Sequence, residues 1–373
     1  MIKVPYNYLP MQFANPEPFI EDWRELIKTS DFTLGAYVKK FEKQFADFVG
    51  AKYCIATNNG TDALILSLKS LGIGIGDEVI TVCNSFYATT GAIVAVGGIP
   101  VFVDCDNRYQ IDVNAIESAI TPKTKAILPV HWAGASPNMP AIIDIAKKHS
   151  LRVVEDACMG IGGKYAGKSP GTFGDCGAYS MHPLKSLNVM GDGGMVTTDD
   201  LELYKWMLMY RNHGMVDRDH IDIWGVNMRI QPIQAIVAMR CLPELNKIIL
   251  KRNENAILLD KLLSKPELIQ HVSIPVRDPL NQETHALYMG LFEKRDQLKK
   301  YLEDSGIEVK IHYPIPLHLQ KAALMYGYGS FPTAEKQANM LLTIPIHQFV
   351  NKESIIYISS KIESFYFNKN ING

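Results

Sequence analysis

Apolar residues between Pro18 and Gly50 recur at three- and four-residue spacing. In WRELIKTS and YVKKFEKQFADFV this predicts helices that bury one face. The period then shortens. YCIAT (53–57), DEVITV (77–82), IPVFVDC (99–105), AILPVH (126–131) and RVVEDA (152–157) are short runs rich in β-branched residues and read as strands. Helical stretches or loops containing Gly and Pro separate them. The stretch NNGTDALILSLKSLG predicts a helix that Thr61 opens and that buries Leu64, Leu66, Leu68 and Leu71. Strands alternating with helices imply βαβ units, hence an α/β fold with a mostly parallel sheet covered on both faces. After about residue 245 the pattern changes to a long helix (LNKIILKRNENAILLDKLL), short strand-like pieces, the Pro-rich IHYPIPLH (311–318) and a last helix from Lys352 to Phe365. This predicts a large domain over residues 1–245, with the N-terminal helical segment, and a smaller α+β domain over 246–373.

Ligands of such sheets bind outside the carboxyl ends of the strands. That rule gathers Asn59 to Thr61, Asn84 to Phe86, His131, Asp156 and the loop carrying Lys185 near one place.

The 373 residues are 47% hydrophobic and 21% charged, with a formal net charge of -1, as in a compact protein of about two domains. Without a basic field, nucleic acid and anionic membranes are not expected partners, and a small molecule is. Six cysteines are scattered with no CxxC or zinc-type spacing, so they read as reduced and mostly buried, and no metal is expected. The opening MIKVPYNYLPMQFANPEPF has no apolar core of signal-peptide length, and no segment approaches the roughly 18 apolar residues of a membrane span. A cytoplasmic location is expected.

SMHPLKSLNVMGDGG (180–194) holds one lysine among apolar residues and glycines. Most lysines in such settings snorkel their amines to water. The alternative is an enclosed lysine with a chemical task, and two other elements favour it. Asp156 ends a strand, and NGT (59–61) starts a helix. A Schiff-base lysine, a carboxylate for a pyridine nitrogen and a helix N-terminus for a phosphate are the requirements of a pyridoxal phosphate site. Taken singly, Asp156 and Thr61 read as loop and cap residues, and His131, His312 and His318 as satisfied structural histidines. No Ser-His-Asp order, GxSxG or strand-linked GxGxxG is present.

From about Thr33 to Phe365 the chain resembles the sugar aminotransferases of the DegT/DnrJ/EryC1/StrS type, which are fold-type I pyridoxal phosphate enzymes. TLGAYVKKFEKQFADFVGAKYCIATNNGTDAL resembles the entry segment of that family. LGIGIGDEVIT, IPVFVD, PVHWAG, VVEDA, SMHPLK, WGVNMRIQPIQA and HYPIPLH are similar to its successive blocks. The resemblance implies a large domain with a seven-stranded type of sheet and pyridoxal 5'-phosphate as cofactor. It makes Lys185 the residue that holds the cofactor and moves the proton, and Asp156 the partner of the ring nitrogen. It puts Phe86 on the ring, and Thr61, the Asp62 amide and Ser180 on the phosphate. Asn227 is implied to reach the phosphate from a neighbouring subunit, which makes a homodimer with shared sites part of the expectation. His182, His312 and Tyr313 fall at expected substrate contacts.

Two departures bear on the substrate. Where the family reads EDxAQ, with glutamine on the ring oxygen, this chain has EDACM and Met159, a weak acceptor and no donor. KSLNVMGDGG is one residue longer than the common KxxTTGEGG and closer to the KNLGxxGDGG spacing of members that aminate C3 ketones. Lys185 in place of histidine argues against the dehydratases of the family. No arginine follows Arg295, which disfavours a strict amino-acid/keto-acid exchanger. The expected reaction moves an amine from an amino acid, L-glutamate, to a keto group of a nucleotide-linked sugar for glycan assembly. The alternatives are a smaller phosphorylated ketone, cyclitol ketone or sugar acid as acceptor, or a pyridoxal-binding regulator without turnover.

Overall fold

The computed structural model describes residues 3–367. Its centre is a seven-stranded sheet of β1 (Tyr53–Thr57), β2 (Glu78–Val82), β3 (Ile99–Val103), β4 (Thr124–Leu128), β5 (Arg152–Asp156), β6 (Cys176–Ser180) and β7 (Gly194–Thr198) in the spatial order β1-β7-β6-β5-β4-β2-β3. The pairs β2/β3, β2/β4, β4/β5 and β5/β6 are parallel; β7 runs against both β1 and β6. The first five strands fall where the β-branched runs predict them. The last two, CGAYS and GMVTT, are buried at every position, so they carry no alternation for a periodicity argument to detect.

Helices cover both faces. Gly35–Val49 buries Val38, Phe41, Phe45 and Val49, and Gly60–Ser70 buries Ala63, Leu64, Leu66 and Leu68. Thr61 does not open the second of these helices. Asn59 does: in extended conformation, its side chain accepts a hydrogen bond from the Asp62 amide at 2.8 Å.

A second, three-stranded antiparallel sheet joins β8 (Val272–Ser273), β9 (Tyr288–Phe292) and β10 (Leu341–Ile344). The helices Arg295–Asp304 and Lys352–Phe367 supply Leu298, Leu302, Ile355, Ile358 and Ile362 to its core. The helix Leu245–Leu263 serves two cores. Leu245 and Ile249 pack with the residues around β1, β6 and β7, whereas Ala256, Leu259 and Leu263 pack with the second sheet. The chain start also crosses over, because Val4 bridges Ile307 in parallel and is buried in the second core. The outermost residues of the two expected domains, 1–2 and 368–373, lie outside the described residues. Among the described residues no helix is long and apolar enough to cross a membrane.

Candidate active site

A cavity of about 240 Å³ opens beyond the carboxyl ends of β1, β4, β5 and β6, and Ala286, Leu287, His312 and Tyr313, from segments flanking the second sheet, close it. Eight of the ten expected site residues line it: Thr61, Phe86, Asp156, Ser180, His182, Lys185, His312 and Tyr313. Asp62 and Asn227 do not. The Asp62 amide is taken by the Asn59 cap, which leaves the amides of Gly60 and Thr61 at the helix start. Asn227 lies on the exposed surface, where its Oδ1 accepts from Arg229 Nε at 3.0 Å. His131, one of the five gathered positions, is also absent from the wall. It is fully buried, with Nδ1 2.9 Å from Ser136 Oγ and Nε2 2.8 Å from Glu155 Oε2, and its neighbour Trp132 faces the cavity instead.

Lys185 lies at the cavity floor. Burial, the largest influence, pulls its amine below the ordinary lysine range, and the Asp156 carboxylate opposes that shift. Burial also keeps the neighbouring Cys158 thiol protonated by raising it well above its usual value, so Asp156 is the anion that acts on Lys185. Asp156 is 5% exposed; its Oδ2 accepts from Thr89 Oγ1 at 2.7 Å and its Oδ1 from the Cys158 amide at 3.2 Å. Burial and the charge of Lys185 lower His182, with Asp192 opposing. His312 is pushed down to about 4 by burial, then by Lys185 and Lys310. Both imidazoles therefore stay neutral beside the lysine.

The glycines behind the lysine loop act through close approach. At Gly194 an added Cβ would stand 2.2 Å from the Asn59 carbonyl oxygen, while the positive φ of this loop falls on Met190. Gly60 is equally constrained, since a Cβ there would meet Ser180 Cβ at 2.7 Å. The helix N-terminus is thus held against the Ser180 hydroxyl. Phe86, 46% exposed, presents its ring beside Tyr313, with centroids 6.0 Å apart. A lysine with a lowered pKa, a hydrogen-bonded carboxylate, a helix start bordered by a hydroxyl and an aromatic face fit pyridoxal phosphate.

Several wall residues carried no sequence signal of this role. Tyr6 arrives from the chain start, and Tyr8 donates from its hydroxyl to the Lys185 carbonyl at 3.0 Å. Trp132 lies in the HWAG block, and its buried Nε1 has no hydrogen-bond partner in the chain. Thr89 acts from behind the wall through Asp156. Met159 does line the cavity, so the thioether stands where the family places its glutamine.

The description "DegT/DnrJ/EryC1/StrS aminotransferase family" matches residues 15–363. A "Pleiotropic regulatory protein" of Geobacillus stearothermophilus is 39% identical over 371 residues, covering 98% of this chain and 99% of that one. A UDP-N-acetyl-3-dehydro-alpha-D-glucosamine 3-aminotransferase of Acidithiobacillus ferrooxidans is 37% identical over 347 residues, 91% of each chain. Among solved structures, that of NtdA from Bacillus subtilis with bound cofactor PMP superposes with a TM-score of 0.90 at 31% identity, covering 97% of this chain and 85% of that one.

Proposed function

The chain belongs to the DegT/DnrJ/EryC1/StrS aminotransferase family and is a pyridoxal phosphate-dependent sugar aminotransferase; from that premise we propose that it moves the amino group of L-glutamate to the C3 ketone of a nucleotide-linked sugar. The observation that carries the reading is a half-buried lysine of lowered pKa in one cavity with Asp156 and the start of the Gly60–Ser70 helix. The length of the KSLNVMGDGG loop and the printed name of the relative from A. ferrooxidans both support C3 as the aminated carbon.

When bound, pyridoxal phosphate supplies an electron sink for the charge that develops at the substrate carbon. Lys185 Nζ holds it and, once released, takes the proton from that carbon and returns it; a depressed pKa keeps part of the lysine neutral for that work. Asp156 keeps the ring nitrogen protonated, and Thr89 fixes the carboxylate that does so. The amides of Gly60 and Thr61 with the hydroxyls of Thr61 and Ser180 hold the phosphate, and Phe86 covers the ring. The neutral imidazoles of His182 and His312, with Tyr313, face the sugar. Asn227 works in the site of a second copy, which makes the enzyme a homodimer; the exposed apolar residues Trp224, Ile221 and Val226 around it support that assembly. Residues 1–245 are the cofactor-binding unit and 246–373 the smaller unit that closes over it. The six cysteines, all free, suit a cytoplasmic enzyme of glycan assembly.

Absorbance of the cofactor-loaded protein during titration with L-glutamate tests the donor step, and a panel of UDP- and dTDP-linked 3-keto sugars beside 3-keto sugar phosphates tests the acceptor. Lys185→Ala is expected to lose both the lysine-bound cofactor and turnover. Transfer to the sugar phosphates with failure on all nucleotide sugars would overturn the acceptor assignment; turnover by Lys185→Ala would overturn the mechanism.

A further inference from the structure

A second cavity, of about 30 Å³, borders the first along Tyr6, Leu184, Ala286 and Leu287, and the roles assigned above leave it unused. Its one formally charged wall residue is Arg252, 2% exposed in the middle of the helix Leu245–Leu263. Arg252 Nε donates to Gln348 Oε1 at 3.2 Å, and Nη1 donates to Ser186 Oγ at 3.2 Å and to the His285 carbonyl at 3.4 Å. The guanidinium carbon lies 5.2 Å from the centroid of the Tyr8 ring. Every one of these partners is neutral. Nη2 is buried without a hydrogen-bond partner, and among the described residues the guanidinium forms no ion pair.

An arginine keeps its charge in any protein, so burying it without an anion is strongly unfavourable. The histidines of the wall do not change the balance. Burial and the nearby arginines push His285 down to about 3, and burial with Arg252 brings His347 to about 4, so both are neutral. Each also keeps Nδ1 without a hydrogen bond; His285 Nδ1 is 3.5 Å from Glu283 Oε2. The pocket therefore offers one full positive charge, a free guanidinium donor and two neutral rings. Its size selects the ligand. At roughly 10–15 Å³ for each water-sized group, it has room for about two such groups, which suits a carboxylate.

We propose that this pocket is a carboxylate subsite, in which a ligand seated in the main cavity sets a carboxylate against the guanidinium of Arg252. The proposal rests on the aminotransferase reading, because the ligand is a substrate of that reaction. Two sources carry the group: the amino-acid donor, or an acceptor sugar of the uronic-acid type. Ser186 follows Lys185 directly and accepts from Arg252, so the subsite adjoins the residue that moves the proton.

Calorimetric binding to the cofactor-loaded protein separates the sources. Glutarate is compared with its neutral diamide glutaramide, and UDP-glucuronate with UDP-glucose. In at least one pair the wild type is expected to favour the charged member by about 10- to 100-fold, the strength of a charge-assisted hydrogen bond. Arg252→Gln brings that ratio near one, and Arg252→Lys restores part of it. A merely structural role for Arg252 weakens both members equally and leaves the ratio unchanged, which overturns the proposal, as does a wild type without preference in either pair. The change in the glutarate pair assigns the donor; in the UDP-glucuronate pair, the acceptor. A crystal of the wild type soaked in whichever charged member it prefers gives a reading that does not depend on the variants folding: a carboxylate bonded to Nη2 is expected, and one bound elsewhere overturns the assignment. The aminotransferase reading fails separately, if no amine is transferred, and anion binding is readable in either case.

Discussion

Thr89→Val removes a hydroxyl that makes two hydrogen bonds, and almost no volume. Thr89 is fully buried on the helix Tyr87–Ala95, where its hydroxyl donates to Asp156 Oδ2 at 2.7 Å and accepts from Ser85 Oγ at 2.8 Å. Valine is nearly isosteric, so no cavity forms. Ser85 keeps a second acceptor, the Phe86 carbonyl at 3.1 Å, and is not orphaned. The loss is therefore one charge-assisted bond to a buried carboxylate, about 1.5–3 kcal/mol. If Asp156 must be held in place against the cofactor ring, that energy appears as a rate loss of about 10- to 100-fold, at about 1.4 kcal/mol per tenfold. The assay is the rate of the L-glutamate step, followed by cofactor absorbance, with Thr89→Ser as the control that restores the hydroxyl. A Thr89→Val rate within about threefold of the wild type, well below that range, would refute the positioning role. Equal losses in both variants would assign the effect to packing.

Other outcomes follow from the same geometry. Asn59→Ala deletes the cap of the Gly60–Ser70 helix and is expected to lower unfolding free energy by about 1 kcal/mol in urea titrations; an unchanged midpoint removes the capping assignment. His312, His347 and His285 have values lowered from 6.5 to about 4, 4 and 3, chiefly by burial, so the unfolded chain takes up protons before the native one. Their contribution to stability is complete above about 6.5 and is lost as pH falls toward 4. His347→Gln flattens that decline in thermal midpoints, and a wild type of constant midpoint across the window contradicts it. Trp224, 88% exposed near Asn227, is expected to lie between two copies. Trp224→Glu then shifts sedimentation toward the monomer and lowers activity with it, whereas a monomeric wild type of full activity ends the shared-site reading.

The strands that place the site were legible because β-branched runs bounded by turn residues announce them, and Lys185 was legible because a lone cation in an apolar, glycine-flanked run is unusual. What stayed hidden has physical causes. Strands β6 and β7, CGAYS and GMVTT, are buried at every position, and each opens on a small residue, so no alternation marks them. Beyond the end of β4 the chain bends at His131 into the short turn Trp132–Gly134, so the two neighbouring side chains point to different surroundings. The gathering rule, which works to within a residue, therefore named His131 where Trp132 faces the cavity. Asn59 and Thr61 are both good caps, and only the torsions of the turn decide between them. Tyr6, Thr89 and Arg252 act through contacts spanning from about 65 to about 300 positions of chain, which no local pattern encodes.

The helix Leu245–Leu263 is one rod embedded at its two ends in different cores, with Arg252 and Asn255 between them. Asn255 Nδ2 binds the carbonyls of Ile346, His347 and Val350 on the far side. Cutting the gene near residue 245 would strip Leu245 and Ile249 from the core of the first half and leave the second half with an apolar helix end that has lost its partners, so neither fragment is an independently expressible module. A ligand that grips Arg252 there would touch the one helix that both cores share.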